Sequence, residues 1–167
     1  MEIWDLYNDK REITGKTHIR GEEVPDGYYH LVVNVWIKNS RGEYLISRRS
    51  ADRPAFPLKW ECVGGSALAG EDSLTAAIRE TDEEVGIDLS GVHGELRYSV
   101  VGRIARGERL PDILDAWVFE YDGEASLDKA KTAEVAETKW MSVDEIKALL
   151  DDGELVYTLA YFFEEIV

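Results

Sequence analysis

The sequence predicts an α/β (α+β) fold built on a mixed sheet, and three observations carry that reading. Several runs rich in β-branched and aromatic residues alternate with turn residues, and two segments carry helix signals with their own caps. No internal repeat, linker or low-complexity tract divides the chain. With 167 residues, 44% hydrophobic and 10% aromatic, it is long enough to bury one sizeable core, and residues 1–167 are read as a single domain.

The elements follow in order. "MEIWDLY" alternates like a strand, "NDKRE" turns, and "ITGKTH" returns. "RGEEVPDG" is a loop, after which "YYHLVVNVWIKN" and "YLISRR", joined by the turn "NSRGE", read as a hairpin of the central sheet. "SADRPAFPLK" is a loop with two prolines, and "WECV" is a short strand whose end is marked by Gly64 and Gly65. Two further strand-like runs, "GELRYSVVGRIA" and "DILDAWVFEYDGE", flank "RGERLP". A helix then opens at the capping box "SVDE", Ser142 to Glu145, and ends near Gly153. The last segment sets Leu155, Leu159, Phe162, Phe163 and Ile166 at helical spacing, which reads as core packing, with a homodimer face as the alternative.

Charge narrows the partners. The formal net charge is −15, from 34 acidic and 19 basic residues, and a field of that sign repels a nucleic-acid polymer while suiting a divalent cation. Surplus carboxylates also serve solubility alone, and composition by itself supports no more than that. The single cysteine, Cys62, excludes an internal disulfide and a multi-cysteine zinc site, and reads as a buried strand thiol. No signal peptide and no run long enough to span a membrane is present, so a cytoplasmic location without membrane attachment is expected.

The chemistry concentrates in "GGSALAGEDSLTAAIRETDEEVGI", residues 64–87. On a helical wheel Leu74, Ile78, Thr81 and Val85 form a stripe expected to face the core, with Glu80, Glu83 and Glu84 on the opposite side. Asp72 or Ser73 is the N-cap, and Gly86 the left-handed C-cap from which Ile87 folds back toward Thr81. Ala76 and Ala77, beside the acids, are small enough to leave room for an approaching group. Such acidic faces are most often simply solvated. Like charges at this spacing nevertheless cost about 0.2–0.5 kcal/mol per pair, only part of which Arg79 offsets by reaching Glu83. A carboxylate-only cluster suits a hard cation such as magnesium, and a carbonyl at the Gly64–Gly65 turn could add an oxygen ligand.

The full spacing is G-x5-E-x7-R-E-U-x-E-E-x-G-U, U being bulky and apolar: Gly65, Glu71, Arg79, Glu80, Thr81, Glu83, Glu84, Gly86, Ile87. It resembles the signature of the Nudix hydrolases, and a chance match in this chain is on the order of 1 in 100,000. Thr81 is the one departure, where the family usually has a bulky apolar residue. The resemblance implies the Nudix fold, a mixed β-sheet sandwiched between α-helices, and hydrolysis of a nucleoside diphosphate linked to another moiety, a small-molecule diphosphate substrate. It also implies that Glu80, Glu83 and Glu84 hold Mg2+ or Mn2+ or act as base, that Arg79 orients them, and that the Gly64 carbonyl adds a ligand. A later-loop glutamate commonly contributes as well. Glu134, six residues before Trp140, resembles it in spacing, with Glu137 and Glu120 as fallbacks. The general base is left among Glu83, Glu80 and Glu134, and Arg48 or Arg49 is expected to reach phosphate oxygens.

The run from Tyr29 to Ser50 resembles more narrowly the Nudix proteins related to isopentenyl-diphosphate isomerase, in which His30 matches a metal-binding histidine. The isomerase uses a cysteine where this chain has Gly64, and its own box is degenerate, whereas this box is intact. Hydrolysis is therefore the expectation, His30 is read as a packed strand residue, and a non-hydrolytic ligand-binding domain is the remaining alternative.

Overall fold

A computed structural model describes residues 1–167. Strands β1 (Ile3–Tyr7) and β2 (Ile13–Ile19) form an antiparallel ribbon. There follow β3 (His30–Lys38), β4 (Tyr44–Arg49), β5 (Trp60–Glu61), β6 (Val63–Ser66) and helix α1 (Ser73–Val85). Then come β7 (Gly94–Val101), a small hairpin of β8 (Ile104–Ala105) and β9 (Glu108–Arg109), β10 (Asp112–Glu120), β11 (Val135–Met141) and α2 (Val143–Asp151). The main sheet runs β11-β4-β3-β10-β7, with β5 beside β4 and β6 beside β3. It is mixed, because β10 lies parallel to β3 along its whole length and antiparallel to β7.

The expected β3–β4 hairpin joins only at its turn. Lys38 and Tyr44 pair, and beyond them the strands part: β6 takes the edge of β3 at Val32 to Val35, and β5 pairs with β4 at Ser47 and Arg48. The parting leaves a seam in the sheet. β3 is buried on both faces, as its nearly continuous apolar run demands. Leu31, Val33, Val35 and Ile37 pack with Val63, Ala76, Ala77, Val85 and Phe119 under α1. Trp36 on the other face packs with Tyr44, Ile46, Val118, Ile146 and Phe162 under α2 and the C-terminal segment. Helical elements thus cover both faces.

The expected stripe of α1 is rotated. Leu74 is 40% exposed, whereas Ala76, Ala77, Thr81, Glu84 and Val85 are buried. The alanines do not flank an open approach. They are core residues whose small side chains let α1 press against β3 and β6, where a leucine would hold the helix off. Thr81 is tolerated in this contact because its hydroxyl donates to the Ala77 carbonyl at 2.8 Å. Asp72 caps the N-terminus by accepting from the Thr75 amide at 2.7 Å, and Gly86 closes the helix at φ 67° with Ile87 buried behind it. Any side chain at Gly86 would also run into the Ser126 carbonyl.

The capping box of α2 is formed on both sides. The last segment is not an α-helix but a 3-10 turn (Tyr157–Leu159) followed by a π-helical turn (Phe162–Ile166). Leu155, Leu159, Phe162 and Ile166 are buried in the core, and Phe162 meets Trp36 with ring centroids 4.3 Å apart. No helix is long and apolar enough to cross a membrane.

One polar anchor pins the β1–β2 ribbon to the sheet. Asp115 of β10 is fully buried, and Arg11 from the ribbon turn grips it with both terminal nitrogens, one at 2.6 Å, while Ser99 donates at 2.7 Å. Burial raises the Asp115 pKa, but the hydrogen bonds from Arg11, Ser73 and Ser99 outweigh it and hold the group below its ordinary value. Arg11→Ala is expected to cost about 2 kcal/mol in urea unfolding at pH 7. A carboxylate depressed in the folded state stabilises above its unfolded pKa of about 3.9. The gap between wild type and variant should therefore close as pH falls below that value.

Candidate active site

The acids of α1 face the seam where β3 and β4 part. A cavity of about 250 Å³ there is walled by Glu80, Glu83 and Glu84 of α1, Gly64, Gly65 and Ser66 of β6, and Arg49 of β4. Arg53, Thr132 and Glu134 close it from two loops, and Glu2 and Arg20 from the N-terminal ribbon. No apolar side chain lines it.

Arg79 organises the wall. Its Nε and Nη2 fork onto the two Glu71 oxygens at 2.8 and 2.9 Å, Nη1 reaches Glu80 at 2.9 Å and Glu83 at 3.1 Å, and Nη2 also donates to the Ser66 carbonyl at 3.1 Å. Glu71 in turn accepts from the Leu68 amide at 2.8 Å, which fixes the loop before the helix. One guanidinium thus ties the loop, the β6 backbone and two helix acids into a single rigid unit.

Glu84 does not sit on an exposed face as the wheel implied. It is 5% exposed, and its Oε2 is buried with no hydrogen-bond partner. Burial drives its pKa well above the ordinary carboxylate range, with the Glu80, Glu61 and Glu134 charges adding to the effect. Burial likewise raises Glu80 to about 7 against the opposing pull of Arg79.

Gly64 and Gly65 lie inside strand β6 rather than in a loop, since their backbones continue the ladder against Asn34 and Val33. Their lack of a side chain has a specific use. A Cβ on Gly65 would occupy the space of the Glu80 carboxylate, and one on Gly64 would meet the Val33 carbonyl and, at 2.8 Å, Asn34 Oδ1. Glycine here lets a carboxylate lie directly on a strand.

The two candidate arginines separate by strand alternation. Arg49 turns into the cavity, held by Glu61 at 2.7 Å and the Ala55 carbonyl at 2.9 Å. Arg48 points away, donating to Leu58 and pairing with Glu137 at 3.4 Å over the Trp60 ring. Glu134 reaches the cavity just before β11 and pairs with Arg53 at 3.1 Å, whereas Glu137 and Glu120 are exposed outside it. Arg53 and Arg20 were not singled out from sequence, and Arg53 Nε is buried without a partner. "SADRPAFP" offers no periodicity to orient Arg53, and Arg20 arrives from a distant ribbon.

His30 stacks on Trp4 with ring centroids 4.1 Å apart and Nδ1 3.5 Å from the Ser66 hydroxyl. Burial lowers its pKa to about 4, so it is a neutral packed imidazole. Cys62 is buried between β5 and β6, and burial pushes its thiol pKa well up.

The donors of the cavity suit a divalent metal in a particular way. No group of three or more Asp, Glu, His or Cys side chains stands close enough together to hold a metal ion by itself. One unpartnered carboxylate oxygen beside a second carboxylate instead matches the open, oxygen-only coordination that leaves room for water and substrate phosphate.

The NUDIX domain model matches residues 28–161. The chain belongs to the Nudix family. An uncharacterised Nudix hydrolase of Listeria monocytogenes is 41% identical over 166 residues, covering 98% of this chain and 91% of that protein. A crystal structure of a Deinococcus radiodurans protein superposes with a TM-score of 0.76 at 23% identity, covering 92% of this chain and 91% of that one. Isopentenyl-diphosphate isomerase of Shigella flexneri, itself of the Nudix fold, is 29% identical over 97 residues, 56% of this chain and 53% of the isomerase. The motif of this Nudix hydrolase therefore stands in the expected sheet-and-helix frame, with Thr81 satisfied in the core.

Proposed function

We propose that the chain hydrolyses a phosphoanhydride bond in a nucleoside diphosphate linked to another moiety, using Mg2+ or Mn2+ at the α1–β6 cavity. The observation that carries this reading is the buried, unpartnered oxygen of Glu84 beside a Glu80 carboxylate seated on Gly65. An unmatched buried oxygen of that kind is costly, and a cation supplies its partner.

Glu80, Glu84, Glu83 and the Gly64 carbonyl would hold the metal, which when bound neutralises phosphate charge and lowers the pKa of a coordinated water. Arg79 keeps Glu80 and Glu83 in place. Arg49 and Arg53, on the opposite wall, donate to phosphate oxygens, and the free Arg53 Nε is one such donor. Glu134 takes the proton of the attacking water, because, unlike Glu80, Glu83 and Glu84, it stands off α1 and Arg79. The polar wall accepts the charged diphosphate, while its attached group lies beyond the cavity.

The isomerase reading loses support from two observations. His30 is packed on Trp4 instead of facing the acids, and Cys62 is a buried, protonated thiol. Phosphate or nucleotide release from a panel of nucleoside diphosphate derivatives, with and without Mg2+, tests the proposal, with isopentenyl diphosphate included. Metal-dependent hydrolysis of at least one derivative is expected. Isomerisation without hydrolysis would overturn it.

The arginine pair gives an internal control. Arg49→Ala should raise KM about tenfold through a lost charge-assisted contact, and Arg48→Ala should leave KM within about twofold. Steady-state kinetics on the best substrate of the panel checks both.

A further inference from the structure

A second and larger cavity, about 620 Å³, lies on the α2 face of the sheet between β7, the β8–β9 hairpin and the C-terminal segment. Its wall carries three arginines, Arg103, Arg106 and Arg109, and no Asp or Glu, in a chain of net charge −15. That contrast is local and built. Arg103 is held by Asp112 at 3.0 Å, which leaves its Nη1 buried without a partner. Arg106 lies 3.8 Å over the Tyr157 ring, and Arg109 donates to the Gly102 carbonyl at 3.3 Å. Tyr98 and Tyr161, stacked with centroids 5.2 Å apart, supply an aromatic wall beside Val100 and Leu114.

Buried side chains stand between this cavity and the acidic one, and no residue lines both. The Tyr161 hydroxyl accepts from Asn34 Nδ2 at 2.7 Å and from Trp36 Nε1 at 3.0 Å. Asn34 Oδ1 lies against Gly64, which lines the acidic cavity. The two cavities are thus close in the fold, separated by the width of these side chains.

We infer that the second cavity binds the group attached to the diphosphate, and selects one that is aromatic and carries an anionic substituent of its own, such as a phosphate on its sugar. The aromatic wall takes the ring. Arg103 Nη1, with Arg106 and Arg109 at the rim, takes the additional anion by charge-assisted hydrogen bonds. The long-range field of the protein opposes any extra negative charge, so only a specific cation site reverses the preference. The inference rests on the hydrolase reading only for the placement of the diphosphate.

Calorimetric titration of the whole chain with adenosine 5′-monophosphate and adenosine 3′,5′-bisphosphate tests the cavity without turnover. The bisphosphate is expected to bind at least about tenfold more tightly. Arg106→Ala and Arg109→Ala, both at exposed hairpin positions, should each remove most of that advantage. Arg41→Ala, which deletes the same charge from the turn at the far end of β3, should retain it. Equal affinity for the two nucleotides, or an advantage that survives both hairpin variants, would overturn the inference. In turnover, NADPH should be preferred to NADH, which lacks one phosphate. If neither is cleaved while the bisphosphate advantage stands and depends on the hairpin arginines, the cavity assignment holds and the hydrolase reading is decided by the wider panel.

Discussion

Glu84→Gln should lower kcat/KM by about a thousandfold, on the order of 4 kcal/mol, while leaving the fold intact. The substitution keeps shape, and removes only the charge and one of the two equivalent oxygens. In the metal-free protein that charge is a liability, since burial already drives the group toward its protonated form. The variant should therefore melt no lower than the wild type without metal, and gain much less than wild type when Mg2+ is added. Loss of activity together with loss of fold would point instead to a structural role for Glu84. Thermal melts with and without Mg2+, run beside the kinetics, separate the two.

Arg79→Ala is expected to fail in a different manner. It deletes five hydrogen bonds at once and leaves Glu71, whose side chain is only 10% exposed, without its partner. Removing one side of a buried pair costs about 3–5 kcal/mol, and the remaining acids repel one another. Activity should fall with stability, so the conservative variant is the informative one. Arg79→Lys keeps the positive charge but lacks the planar fork that spans Glu71, Glu80 and Glu83 together. Its kcat should still fall about a hundredfold, with stability recovered in part. Near wild-type turnover in the lysine variant would show that charge alone suffices and that the fork positions nothing.

These residues also mark how far the sequence could be read. The strand runs, the caps at Asp72, Gly86 and Ser142, and the nine motif positions were all legible, because each depends on local chemistry within a few residues. Leu74 and the two alanines were not. A wheel ranks faces by side-chain hydrophobicity, whereas α1 sits so close to β3 and β6 that alanine, not leucine, fits the contact. The β3–β4 seam was hidden for a related reason: turn residues announce a hairpin, but the pairing of β6 with β3 is a long-range choice. Strand β11 was not assigned from sequence, since "VAETKWM" alternates weakly and lies largely exposed on the sheet edge.

At the site, alternation alone decides between Arg48 and Arg49, and it cannot be applied until the register of β4 is known. Arg53 and Arg20 are set by loops and by the ribbon that Arg11 docks on Asp115, and no spacing rule reaches across such distances. The three acids do share one cavity wall, but Glu84, read as part of a solvated face, is buried. That placement matters, because a buried carboxylate without a partner points to a bound cation where a solvated one does not.

Direct titration with Mn2+, followed by the loss of its free-ion electron paramagnetic resonance signal, examines that point without reference to any substrate. The wild-type chain should bind Mn2+ saturably, with Glu84→Gln reducing affinity at least about tenfold and Glu120→Gln, at an exposed strand end outside the cavity, leaving it unchanged. Equal Mn2+ binding by the wild type and Glu84→Gln would contradict the metal site at α1 and β6.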